Sequence, residues 1–220
     1  MLGLSRDPLS FVAQTASRYR QRFSYCVPSS SSSTGFLALG NFNPRKPRPQ
    51  ASIRYTPLSE FTEGTQFYGI DMTGISVAGN MLAIPRSVFD SAGTIIDSGT
   101  VITRLPPAAY GVMRKAIRRV MSGYPVARRY SRLDTCYDFR GYNEVRVPRI
   151  SFFFSGGVEV ESDVLGILLP VSETQACFAF IGNSDDDSVG IFGNMQQKTW
   201  EVVHDNGGSG RVGFGASACS

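Results

Sequence analysis

Charge is scarce in this chain. Asp, Glu, Lys and Arg make up 18% of its 220 residues, against about a quarter in typical soluble domains. The scarcity excludes a disordered, self-repelling polymer, which needs high net charge and few aromatics. Histidine is scarcer still, with His204 alone, and the four cysteines (Cys26, Cys136, Cys177 and Cys219) form no CxxC pair. Both facts argue against a Cys/His zinc site. No apolar run reaches the 18 residues or so that a spanning helix needs, so no membrane span is expected. Residues 1–15, MLGLSRDPLSFVAQT, lack the basic start and apolar stretch of a signal peptide. None of Asn80, Asn143, Asn183, Asn194 or Asn206 heads an N-x-[ST] sequon.

What is present points to a turn-rich, well-packed protein. There are 15 Phe, 9 Tyr and one Trp to fill a core, and 23 Gly and 12 Pro to break it into short segments. The length suits one large β unit or two small domains. The net charge of +4 comes with a denser basic stretch from Arg114 to Arg132. No helix-turn-helix, zinc-finger or RNP pattern accompanies it, so the stretch reads as a solvated surface and no nucleic-acid partner is expected. The acidic run Asp185–Asp187 likewise reads as a solvated loop, not half of a calcium site. Four widely spaced cysteines fit two disulfides in any of three connectivities, or four buried thiols; disulfides would imply an oxidising compartment.

Period-two apolar patterning predicts strands near 23–27, 36–40, 53–56, 67–77, 81–84, 149–154, 157–160, 166–169, 176–181, 189–192, 200–204 and 211–214. The serine run 29–33 and the Pro- and Arg-rich 43–50 read as loops. Asp7 and Pro8 can open a short helix with Leu9, Val12, Ala13 and Ala16 on one face. One longer helix enters at Pro106-Pro107 and places Tyr110, Met113, Ile117 and Val120 on its apolar face, with Arg114, Lys115, Arg118 and Arg119 largely on the others. Gly123 and Pro125 end it. The class is mainly β with one principal helix.

The segment Thr94-Ile95-Ile96-Asp97-Ser98-Gly99-Thr100-Val101 carries the chemistry. An apolar strand delivers a lone Asp, a residue disfavoured in strands, into a tight turn. Gly99 permits close backbone approach, and the Ser98 and Thr100 hydroxyls can hydrogen-bond around the turn. A D-S-G turn by itself is a weak signal. It is joined here by T-R-L-P-P-x-A-Y at the helix entry, L-D-T-C-Y-D-F at 133–139, V-P-x-I-S-F-F-F at 147–154, I-F-G-N-M-Q-Q at 191–197 and G-R-V-G-F at 210–214. G-L-S-R-D-P-L-S-F at 3–11 and F-S-Y-C at 23–26 precede them.

Taken in order, these segments resemble a pepsin-like aspartic protease of the plant nepenthesin-like group along essentially the whole chain. The resemblance implies a bilobal, mainly β acid-protease fold in which each lobe supplies one catalytic Asp from a D-[ST]-G turn. Asp97 would be the carboxylate of the C-terminal lobe. Ser98, Gly99 and Thr100 would shape its turn, and Ile191, Phe192 and Gly193 would form the strand supporting it. The family's cysteine pattern implies Cys136–Cys177 within the lobe and Cys26–Cys219 joining its ends. Residues 1–25 resemble the end of the N-terminal lobe and the crossing, and 26–220 the C-terminal peptidase lobe. No cofactor is implied. A polypeptide substrate is, with an N-terminal lobe as the missing partner, because the sequence holds no second D-[ST]-G: Asp90-Ser91-Ala92-Gly93 has one residue too many and Asp71-Met72-Thr73-Gly74 departs from the pattern.

Three functions fit. The first is an aspartic endopeptidase lobe, with extracellular, vacuolar, plastid or other secretory-pathway localisation set by a segment before residue 1. The second is a non-catalytic protein-binding or inhibitor module resembling plant xylanase inhibitors. The third is a homodimer rebuilding a dyad from two copies of Asp97.

Overall fold

The computed structural model describes residues 2–30, 32–40, 53–208, 210–216 and 219. The loop expected at 43–50 and residue 31 of the serine run lie outside them. Alternation of burial generates the strands: along Val158–Glu161 the two valines are buried and the two glutamates exposed, the signature of a sheet with one wet face. Along Met72–Val77 nearly every residue is buried, because that strand has cover on both sides.

Sixteen strands form among the described residues. The first five are β1 (Arg22–Cys26), β2 (Phe36–Leu39), β3 (Ile53–Pro57), β4 (Met72–Val77) and β5 (Asn80–Met81). β6 (Thr94–Asp97) and β7 (Thr103–Leu105) precede the long helix, Pro107–Val120, and β8 (Cys136–Asp138) follows it. Then come β9 (Ile150–Phe154), β10 (Val158–Glu161), β11 (Leu168–Pro170), β12 (Gln175–Phe178), β13 (Phe180–Gly182), β14 (Gly190–Gly193), β15 (Glu201–Asp205) and β16 (Arg211–Gly215).

They assemble into four sheets, ordered β2-β1-β15-β16-β3, β10-β9-β4-β5, β11-β12-β8 and β13-β7-β14-β6. The first ties the two ends of the chain together. β1 runs antiparallel to β15 from Arg22 opposite Asp205 to Cys26 opposite Glu201, and the Cys26–Cys219 disulfide closes the same region. The division expected at residue 25 thus falls inside a continuous strand. Cys136–Cys177 staples β8 to β12, where the two residues are register partners.

The main core runs through all four sheets. Its centre is a set of phenylalanines: the Phe192 ring meets Phe152 and Phe154 edge-on, each at 5.3 Å, and Phe154 stacks on Phe214. Such pairs add roughly 0.5–1.5 kcal/mol each beyond area burial.

Three local expectations change. The long helix buries Ala109, Met113 and Ile117, so its apolar stripe follows i, i+4 steps. Val120 is 48% exposed and Tyr110 half-buried, because the helix lies against β13 and β4. The N-terminal helix is two single turns, Phe11–Gln14 and Ala16–Tyr19. Ser10, not Asp7, caps the first by accepting the Ala13 N–H, and Leu9 points outward while Val12 is buried. Finally, the strand expected at 166–169 begins as a helical turn, Val164–Ile167, whose cap Asp163 accepts the Leu165 N–H at 2.8 Å.

Candidate active site

Asp97 is the last residue of β6, and its position is fixed from both sides. On one edge β14 runs parallel to β6, pairing Ile191 with Ile95, Phe192 with Ile96 and Gly193 with Asp97. On the other, the Ile96 N–H donates to the Tyr68 carbonyl and the Ile70 N–H to the Thr94 carbonyl. Ile95 and Ile96 are buried, so the strand cannot slip without exposing its apolar residues.

The turn then wraps around the carboxylate. Oδ1 accepts the Gly99 N–H at 2.8 Å and Oδ2 accepts the Thr100 hydroxyl at 2.6 Å. The Thr100 N–H closes the turn onto the Asp97 carbonyl at 3.3 Å. A carboxylate has about four acceptor sites, so two contacts from one side hold it while leaving both oxygens able to meet a water. Ser98 and Gly99 are exposed at the tip.

The segment after β14 supports the turn from below. Asn194 donates through its side chain to the Ser98 carbonyl at 3.0 Å and through its N–H to the Thr100 carbonyl at 2.8 Å. Gly193 must lack a side chain: a Cβ there would stand 2.8 Å from the Val101 oxygen and 3.0 Å from the Thr100 oxygen. Its N–H donates to the buried Thr103 hydroxyl, which in turn donates to Gln196 Oε1. Gln197 accepts from the Tyr25 hydroxyl and donates to the Phe192 carbonyl. Burial pushes the Tyr25 phenol well above its ordinary pKa, opposed by hydrogen bonding with Ser98 and reinforced by the Asp97 charge. Tyr25 therefore stays a neutral hydrogen-bond donor beside the turn.

The match to family models decides the lineage of this site. Residues 67–216 match the family described as Xylanase inhibitor C-terminal, and residues 1–41 match Xylanase inhibitor N-terminal.

The chain belongs to the pepsin-like aspartic protease family.

Among relatives of this protease-family chain, an aspartyl protease family protein of Arabidopsis thaliana is 49% identical over the whole of it, and aspartyl protease AED1 of the same plant 46%. Aspartic proteinase nepenthesin-2 of Nepenthes gracilis is 35% identical over 93% of the chain. The chain covers 45%, 46% and 47% of those proteins respectively, so it spans about half the length of the curated relatives it matches. Two solved structures, EDGP and soybean Basic 7S globulin, superpose over 99% of the chain with TM-scores of 0.81 and 0.78. They cover it with 59% and 58% of their own length at 19% and 18% identity, which establishes the mainly β, pepsin-type fold.

All seven turn and support residues expected from the protease resemblance (Asp97, Ser98, Gly99, Thr100, Ile191, Phe192 and Gly193) come together at this one point. The four cysteines form the two expected disulfides. Thr103, Asn194, Gln196, Gln197 and Tyr25 were not singled out by sequence reasoning. The available signal was a pair of glutamines in the single turn just after a buried strand, where unpaired amides would be costly.

Two cavities flank the turn. The first, of about 320 Å³, is lined by Asp97, Ser98 and Gly99 together with Phe23, Tyr68 and His204. His204 is buried in β15, stacked parallel on Phe23 at 4.5 Å and edge-on to Tyr68 at 4.3 Å. Its Nδ1 is buried without a hydrogen-bond partner, and burial pulls its pKa down to about 3. It is a neutral aromatic packing residue. The second cavity, of about 470 Å³, is lined on the turn side by Gly99, Thr100, Val101 and Ile102. No cluster of three or more metal-ligating side chains occurs among the described residues, and no described helix is long and apolar enough to cross a membrane. Asp185 accepts the hydroxyls of Ser184 and Ser188 within its own loop.

Proposed function

We propose that this chain supplies one half of an aspartic endopeptidase active site, with Asp97 as its catalytic carboxylate. The observation that carries this reading is the carboxylate itself. It lines a cavity, held by an N–H and a hydroxyl and backed by a strand glycine, Gly193, that admits no side chain.

The reaction needs a second carboxylate about 3 Å away, because two acids so close share one proton and take opposite roles. The ionised member takes a proton from a water, whose oxygen attacks the peptide carbonyl. The protonated member hydrogen-bonds the carbonyl oxygen, and the tetrahedral species collapses with proton delivery to the leaving nitrogen. Asp97 fills one of these places, and a D-[ST]-G-bearing N-terminal lobe supplies the other. Residues 1–25 form the end of that lobe and the crossing. The substrate is an extended polypeptide. The two disulfides favour an oxidising, secretory-pathway compartment, which a free-thiol titration of the natively extracted protein checks.

The test is digestion of a denatured protein at pH 3–5 by the chain alone, and by the chain mixed with a separately expressed half bearing D-[ST]-G. Asp97→Asn is the control. Cleavage by the mixture that vanishes with Asp97→Asn is expected; an assembled mixture that cleaves equally with and without the substitution sinks the proposal.

A second reading, a non-catalytic protein-binding or inhibitor module, draws on the description of the matching family models. Stoichiometric capture and inhibition of a xylanase by a preparation devoid of proteolysis favours it. A strictly monomeric mass disposes of a dyad rebuilt from two copies of Asp97.

A further inference from the structure

The larger cavity beside the turn has a chemistry that the proteolytic reading does not use. One wall is the turn itself, Gly99 to Ile102; Leu133, Leu169 and Ile181 make an apolar floor. That floor packs around the Cys136–Cys177 disulfide, since Leu169 is the register partner of Cys177. The wall is therefore covalently braced, as a selective pocket requires.

Two cations line this pocket, Arg104 and Arg132, together with Tyr130 and with no carboxylate. Arg104 lies in β7 between Thr103 and Leu105, both fully buried. Alternation along the strand sends Arg104 to the opposite face, toward the pocket. Its Nε is buried and has no hydrogen-bond partner, and no ion pair engages it among the described residues. An unpaired buried donor on a charged group is costly. The carboxylate nearest Arg132 in sequence, Asp134, is already taken by Tyr110, Arg114 and Thr135, and Asp97, the nearest to Arg104, accepts from Gly99 and Thr100 within its own turn.

We infer that this pocket is a substrate subsite selective for an acidic side chain, with Arg104 and Arg132 as its specificity-determining residues. The inference rests on the proteolytic reading in placing a peptide across the Asp97 turn. A glutamate or aspartate entering beside Gly99–Ile102 would present two oxygens to the guanidinium fork, the geometry arginine recognises best. Its methylene stem would rest on Leu133, Leu169 and Ile181. A lysine there would face two like charges.

Fluorescence anisotropy tests this on the 220-residue chain with labelled peptides identical except for Glu, Gln or Lys at one position. At pH 5.5 we expect the Glu peptide to bind roughly tenfold more tightly than the Gln peptide, as for a hydrogen bond to a charged group, and the Lys peptide more weakly still. The Glu preference should fade at pH 3.5, below the ordinary glutamate pKa of about 4.3. It should shrink in Arg104→Gln and, independently of any folding defect in β7, in the exposed-loop variant Arg132→Gln. Equal affinity for Glu and Gln, or no binding of either at millimolar concentration, overturns the assignment. Cleavage of the same peptides by the complemented chain separates the two proposals. Glu-selective binding without cleavage sinks the catalytic reading alone, and cleavage indifferent to Glu sinks this one alone.

Discussion

Replacing His204 by Phe should make the protein markedly more tolerant of acid. In the folded chain the imidazole is enclosed by Phe23, Tyr25 and Tyr68, and burial lowers its pKa from 6.5 to about 3. Unfolding returns it to a group that binds a proton below pH 6.5. Between pH 6.5 and 3 the unfolded state therefore holds more protons than the folded one. Stability contributed by the neutral histidine is complete above pH 6.5 and is lost as pH falls toward 3. Each pH unit in that window costs about 1.4 kcal/mol, so the loss at pH 4.5 is about 2.7 kcal/mol. The aromatic faces around the ring would attract an imidazolium, offsetting up to about 2 kcal/mol in a desolvated setting. The expected net loss is thus about 1–3 kcal/mol. Phenylalanine keeps the flat ring against Phe23 and removes the titration. Urea unfolding followed by Trp200 fluorescence, at pH 7.5 and 4.5, gives the difference in stability between the two pH values for each protein. Carboxylates contribute equally to both proteins and cancel. The difference should be smaller in His204→Phe by about 1–3 kcal/mol, whatever the variant's absolute stability. An identical pH difference in the two proteins would falsify the account of His204 as a buried neutral base.

Three further outcomes follow from the support beneath the turn and from the staples. Gly193→Ala drives a methyl toward the Val101 oxygen at 2.8 Å; urea unfolding should show a loss of roughly 1–3 kcal/mol, as for overpacking elsewhere, and no loss would mean the strand is not wedged there. Phe192→Ala empties the centre of the phenylalanine set and should cost about 3–5 kcal/mol in the same assay, whereas a change under 1 kcal/mol contradicts the packing. The paired Cys26→Ser and Cys219→Ser variant releases a cross-link between residues 193 apart; loop entropy alone predicts about 5 kcal/mol lost, read as a fall in urea midpoint that reducing agent should not deepen through this bond.

Much of the site was legible because the residues that do chemistry sit in one short run. Asp97 to Thr100 form a local turn, and both contacts to the carboxylate come from within three residues of it. The regular strands were legible from alternation, as at Val158–Glu161. Harder to read were elements decided by cover from elsewhere. The helix's buried stripe was displaced because the sheets beneath it meet Ala109 and Met113 more squarely than Val120. Segment 164–167 became a helical turn because Asp163 supplied a cap.

The sequence by itself determined the family, the mainly β class, the turn that carries Asp97 and, through the family pattern, the cysteine pairs. Only the tertiary structure decided what surrounds that carboxylate. Asn194 reaches the Ser98 carbonyl across 96 residues and Tyr25 reaches Gln197 across 172. The basic pocket joins residues near 100, 130, 169 and 181. Local periodicity reports which face of a segment is buried, but not which distant segment buries it. Those partners are chosen by sheet pairing and close packing over the whole chain, and the chemistry flanking Asp97 follows from that choice.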